Sequence, residues 1–158
     1  MSSRRLCGID PGLQVSGYAV IAADDEALTV IDAGVVRTDP TASLAQRLAQ
    51  LETGIGEILS EHNPVLLAVE ELYSHYRHPA TAILMGHARG VILLTAARRG
   101  LPVLSFSANH IKKALTGNGR ASKQQIQRAM LARLRLNRLP EPADVADALA
   151  VAVCAAAG

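Results

Sequence analysis

Four carboxylates stand where they could share one chemical task. Asp10 follows a short apolar run and precedes Pro11-Gly12, Glu70 ends the fully apolar residues 65–69, and Asp144 and Asp147 lie three apart behind Pro140 and Pro142. Two divalent cations roughly 3.5 to 4 Å apart can hydrolyse a phosphodiester, one activating water and the other stabilising the departing oxygen. Mg2+ takes oxygen ligands and keeps several waters, so a few converging carboxylates suffice. On a helix, residues at i and i+3 are neighbours, about 5 to 6 Å apart between Cβ atoms, so Asp144 and Asp147 can face one site. A helix N-terminus also tolerates their charge. Singly, each acid has a plainer explanation. Asp10 before Pro-Gly suits a turn, Glu70 an exposed strand end, and Asp144 a helix dipole. Asp147, set in Val-Ala-Asp-Ala-Leu-Ala, is a charge among small apolar residues where isolation would be costly. Taken together, the four read as a metal-ligand set.

The distribution of charge points to what such a site would act on. The net charge is only +2, but residues 1–71 hold four Arg and eleven acids, residues 72–140 hold twelve Lys or Arg and no acid, and residues 141–158 hold three acids. Ordinary surfaces mix signs, so a long segment without a carboxylate implies a polyanionic partner. The rest of the composition is that of a globular domain: 158 residues, 49% hydrophobic and 19% charged, with no low-complexity tract. That length is expected to form one domain, 1–158. Cys7 and Cys154 lack the spacing of a zinc or redox pair and read as small buried hydrophobes. The N-terminus does not read as a signal peptide, and the apolar runs near residues 91–97 and 148–157 fall short of a membrane span. A cytoplasmic location without a membrane partner is the expectation.

The elements that must position these acids follow from the hydrophobic period. Residues 6–9, 15–22 and 28–36 read as three strands joined by short turns, an antiparallel meander. Leu44, Leu48, Leu51, Ile55, Ile58 and Leu59 then mark one helical face, with Asp39-Pro40 as its expected cap and first-turn proline. Residues 65–69 form a buried strand leading into Glu70-Glu71. After Pro79 a helix runs to about residue 99, stopped by Gly100. Its apolar positions cover more than one face, which predicts packing beyond its own sheet, and a dimer interface is the economical choice. Residues 101–106 form a fifth strand, Ser107 caps a short helix ended by Gly117-Asn118-Gly119, and Ser122 with Gln125 forms a capping box for the next helix. A final helix rich in Ala, Val and Leu packs on the sheet. The fold class is α/β, a mixed five-stranded sheet with three antiparallel strands followed by parallel ones, flanked by helices.

Gly8-Ile9-Asp10-Pro11-Gly12 followed by Gly17-Tyr18, Ala68-Val69-Glu70 with Tyr73, His87-Ala88-Arg89-Gly90, and residues 143–150 around Asp144 and Asp147 occur in an order and spacing that resembles the bacterial RuvC family of Holliday-junction resolvases. The resemblance runs across nearly the whole chain. It implies an RNase H-like fold, a homodimer, and paired nicks of like polarity across a four-way DNA junction during recombination and repair, with a branch-migration helicase complex as partner. It implies that Asp10, Glu70, Asp144 and Asp147 hold two Mg2+ ions, with Mn2+ as a substitute, and it selects Glu70 over Glu71, which strand alternation places on the opposite face. Lys112 and Lys123 match functional lysines of the family. Lys123 is placed among the catalytic residues, where it would reach a phosphate or developing charge, and both are read equally well as backbone contacts.

Further expected DNA contacts are Tyr73, Tyr76, Arg77, Lys113, Arg120 and Arg128, with Arg133, Arg135 and Arg138 on the outer DNA-binding surface or merely solubilising. Tyr73 would stack on opened bases, worth about 1 to 3 kcal/mol per base, or pack on the domain. Arg89 is expected to be structural. Two departures stand out: the chain stops soon after the last helix, where many relatives continue into a basic tail, and residues 74–79 differ from the familiar pattern. Rival readings are an RNase H-like nuclease of YqgF type acting on RNA, an actin-like nucleotide-binding protein, which needs two lobes, and a non-catalytic junction-binding module, which gains nothing from four gathered negative charges.

Overall fold

The structure, a computed structural model, describes residues 2–72 and 78–158. Tyr73, Tyr76 and Arg77 lie outside the described residues. Strands β1 (Arg4–Asp10), β2 (Val15–Ala23) and β3 (Leu28–Arg37) form the expected antiparallel meander, and β4 (Leu66–Glu70) and β5 (Val103–Phe106) add parallel to it. The strand order is β3-β2-β1-β4-β5, so β1 is central, with β4 as its parallel neighbour. The mixed five-stranded sheet agrees with the sequence expectation.

Helices cover both faces. On one side Leu51, Ile55, Ile58 and Leu59 of α1 (Leu44–His62) and Ala88, Ile92 and Ala96 of α2 (Pro79–Arg98) pack with Cys7, Ile9, Leu67 and Val69. On the other, α3 (Ala108–Thr116), α4 (Lys123–Leu134) and α5 (Ala143–Ala157) pack with Leu6 and Ala68. The alternation along β1 and β4 assigns Asp10 and Glu70, two residues beyond Gly8 and Ala68, to the α5 side.

Two expectations about the helices are corrected. Asp39-Pro40 does not cap α1; the cap is a box in which the Ser43 hydroxyl accepts from the Gln46 N–H at 3.2 Å and the Gln46 side chain accepts from the Ser43 N–H at 3.1 Å. Asp39 instead turns its carboxylate onto Thr41, accepting from its N–H at 2.9 Å and its hydroxyl at 2.7 Å, a local bond that competes with helix formation. Second, α2 is by length and composition apolar enough to cross a bilayer, although the apolar runs were expected to fall short. Its apolar excess is mostly not used within the described residues, where Ile83, Leu84 and Leu94 are 61%, 41% and 49% exposed. The Ser122–Gln125 box of α4, the Ser107 cap of α3 and the end of α3 at Gly117, whose φ of 79° favours glycine, are as expected.

Candidate active site

The parallel register pairs Ile9 with Val69, which brings Asp10 and Glu70 to the same end of two adjacent strands. That end is the carboxyl edge of the parallel strands, where open α/β sheets bind ligands. Asp10 lies opposite Gly17 of β2. A methyl group on Gly17 would overlap the carbonyl of Asp144, and one on Gly8 would overlap the carbonyl of Ala148 and crowd Ala152. These two glycines let the α5 backbone rest directly on β1 and β2, which seats the first turn of that helix beside Asp10. The turn after Asp10 is closed by another residue: buried Ser16 accepts from the Gly12 N–H at 3.0 Å and donates to the Gly12 carbonyl at 2.6 Å. Asp10 is thereby left for the cluster.

The electrostatics express this convergence. Burial, followed by the charges of Asp147 and Asp144, a hydrogen bond with Asp144 and the charge of Glu70, pushes the Asp10 carboxyl up to about 8. Glu70 is raised by burial and by Asp147, while Lys112 pulls it back. Asp147, only partly shielded from solvent, is raised by that partial desolvation, with Lys123 opposing and Asp144 adding to it. All four acids are therefore within electrostatic reach of one another, and the two lysines flank them from α3 and the start of α4. Asp147 itself corrects an expectation: its apolar sequence neighbours Val145, Ala148 and Leu149 are buried on the opposite face of α5, and Asp147 is exposed on the open side.

Oxygen-only donors with more negative charge than the neighbouring lysines offset fit hard divalent cations. Among the described residues, the group of three potential ligands lying within 4.8 Å of one another is a different one: Asp32, Glu61 and His62. There the His62 ring meets Asp32 at 2.8 Å and the Tyr18 hydroxyl donates to the same carboxylate at 3.2 Å, so these groups satisfy each other.

Neighbouring residues take distinct places. Arg89 donates to the Glu70 carbonyl at 3.4 Å and to the Ser105 hydroxyl at 2.9 Å, bracing the ends of β4 and β5, the structural role expected for it. Glu71 is exposed and its N–H donates to the Phe106 carbonyl at 2.8 Å. Lys113 and Arg120 are exposed, and Arg128 lines a separate depression with Thr116, Asn118 and Gln125. Arg133 donates to the Ala114 carbonyl at 3.0 Å and ties α4 to α3. A cleft of about 930 Å3 opens beside Asp147, lined by residues of α4, α5 and the Leu139–Pro142 connection together with Lys112, Lys123 and Arg37. The sequence reading missed Arg37, because only the β2–β3 register, which sets it opposite Val15, brings it there.

Comparison with known proteins agrees with this geometry. The family model described as "Crossover junction endodeoxyribonuclease RuvC" matches residues 6–155. A relative of that name from Rhodopirellula baltica is 48% identical over 153 residues, covering 97% of this chain and 86% of its own length. One from Heliobacterium modesticaldum is 44% identical, covering 96% and 93%. The structure of Thermus thermophilus RuvC in complex with a Holliday junction substrate is 32% identical with a TM-score of 0.90, over 96% of this chain and 92% of that one. The sheet is therefore of the RNase H-like type expected.

Proposed function

The chain belongs to the RuvC family of crossover junction endodeoxyribonucleases, and from that premise we propose that it resolves four-way DNA junctions by metal-dependent paired nicks in strands of like polarity. The observation that carries the reading is the convergence of Asp10, Glu70, Asp144 and Asp147 from two strand ends and one helix start. These four carboxylates would hold two Mg2+ ions, with Mn2+ able to replace them. When bound, the ions supply activation of the attacking water and charge stabilisation of the departing oxygen.

The remaining work falls to the chain's own groups. Lys112 and Lys123 lower the repulsion among the acids and attract the phosphate that must approach them. Lys123, at the first turn of α4, is the candidate for charge stabilisation at the scissile phosphate. Arg89 fixes the Glu70 backbone and so the aim of its side chain. Lys113, Arg120 and Arg128, all exposed, would bind phosphates along the arms, and Tyr73, Tyr76 and Arg77 would meet the junction centre. The exposed Ile83, Leu84 and Leu94 of α2 fit a homodimer, which would present two sites to the two strands to be cut. A single domain acting in the cytoplasm with a branch-migration helicase complex completes the proposal.

Incubation with Mg2+ and a synthetic mobile four-way junction, a linear duplex or a structured RNA tests it. Symmetric, ligatable nicks confined to the junction are expected. Preferential cleavage of the RNA would replace this reading with the YqgF-type one, and junction binding without cleavage under any divalent cation would replace it with a binding module.

A further inference from the structure

The cleft beside Asp147 is chemically unlike the acid cluster it adjoins. Its walls are Ile126 and Met130 of α4, Leu139 and Pro140 of the connection, and Ala143 and Ala146 of α5. Polar groups share the lining: Lys112, Lys123 and Arg37 supply positive charge, and Gln127 and Glu141 supply donors and acceptors. Its volume, about 930 Å3, is in the range of pockets that enclose small organic groups, which span roughly 300 to 1,000 Å3. A surface that only tracked a phosphate backbone would have no use for so many apolar lining residues.

We propose that this cleft receives a nucleobase unstacked from the nucleotide adjoining the scissile phosphate, an inference that rests on the junction-cleaving reading above. Continuity carries the assignment. Asp147 belongs to both the acid cluster and the cleft wall, and Lys112 and Lys123 border both. A strand whose phosphate lies at the acids therefore has the cleft within reach of its neighbouring nucleotide. The apolar lining suits the faces of a planar base, Gln127 and Glu141 suit its hydrogen-bonding rim, and Lys112, Lys123 and Arg37 suit the phosphates on either side. Removing a base from a stack costs a few kcal/mol, less where pairing is already interrupted, so a branch point is the substrate on which this pocket is most easily filled. The base held there fixes the strand's position at the acids, which makes the cleft a device for selecting branched over continuous duplex.

The test uses a four-way junction carrying 2-aminopurine next to the scissile phosphate, bound in EDTA so that nothing is cut. Binding is expected to raise the fluorescence several-fold as the base leaves its stack, and Ala146→Leu or Ala143→Leu, each of which fills the cleft from α5, should remove the rise while junction binding persists. In Mg2+ both variants should cut a normal junction about tenfold more slowly, an unstacking cost of about 1.4 kcal/mol left uncompensated. A junction abasic at that nucleotide should restore their rate to that of the unsubstituted protein on the same DNA. Cleavage of a normal junction by both variants at the unsubstituted rate, with no fluorescence change on binding, would overturn the inference and leave the proposed function standing. Failure of the unsubstituted protein to cut any four-way junction would overturn the proposed function itself.

Discussion

Asp10→Asn should make the metal-free protein more stable, even though it removes a residue from the centre of the site. The Asp10 carboxyl is pushed from 3.8 to about 8 by burial and by Asp147, Asp144 and Glu70. A group whose folded pKa exceeds its unfolded one holds a proton in the native state that the unfolded chain has released, so stability falls as pH rises between those values. At about 1.4 kcal/mol for each pH unit, the cost to the folded state at pH 8 has a ceiling of roughly 5 kcal/mol. Relaxation of four side chains, one of them exposed, reduces this, and about 1 to 3 kcal/mol should remain measurable. Urea unfolding in EDTA at pH 5 and pH 8 would read it. The unsubstituted protein should lose stability across that interval, Asp10→Asn should lose much less, and the variant should be the more stable at pH 8. Addition of Mg2+ should stabilise the unsubstituted protein preferentially, because only its complete ligand set binds the ion tightly. Equal or lower stability of Asp10→Asn at pH 8 without metal would refute the claim that the acids repel across a shared site.

Other positions respond in different ways. Gly17→Ala forces a methyl group against the Asp144 carbonyl, so it should destabilise the fold by about 1 to 3 kcal/mol in urea titrations and slow nicking more than it weakens junction binding. Arg89→Ala removes bonds to the Glu70 carbonyl and Ser105 and should cost about 1 to 3 kcal/mol of stability, with a smaller loss of cleavage than any of the four acids. Lys112→Ala removes the group that lowers the Glu70 pKa; the acid limb of the pH–rate profile should move to higher pH, and above that limb saturation should require less Mg2+, because a positive charge has been taken from beside a cation site.

Much of this site was legible in sequence because its parts are local. A strand that ends in an acid, a Gly-x-Asp-Pro-Gly turn and two Asp residues three apart on a helix each specify a direction, and the periodicity of β1, β4 and α5 carries those directions to one edge of the sheet. The failures were of two kinds. At the start of α1 two local signals compete, Asp39-Pro40 and the capping-box pattern Ser43-x-x-Gln46, and the fold uses the second. Asp147 was expected among apolar side chains because its sequence neighbours are apolar, but the 3.6-residue turn directs those neighbours to the sheet and Asp147 outward. Arg37 and the cleft it borders depend on pairings between distant segments, which no local pattern reveals. The exposure of Ile83, Leu84 and Leu94 was anticipated only as an apolar surplus on α2, without indication of which turns would carry it.

The central claim is that four converging carboxylates cut junction DNA, and Asp147→Asn tests it most directly in single-turnover reactions on a four-way junction with saturating Mg2+. Binding should be retained or strengthened, because a negative charge is removed from a phosphate site. Cleavage should fall by more than about a hundredfold, since even outer partners of a metal site cost about 10- to 100-fold when changed. Cleavage at the unsubstituted rate, with the same products, would contradict the account.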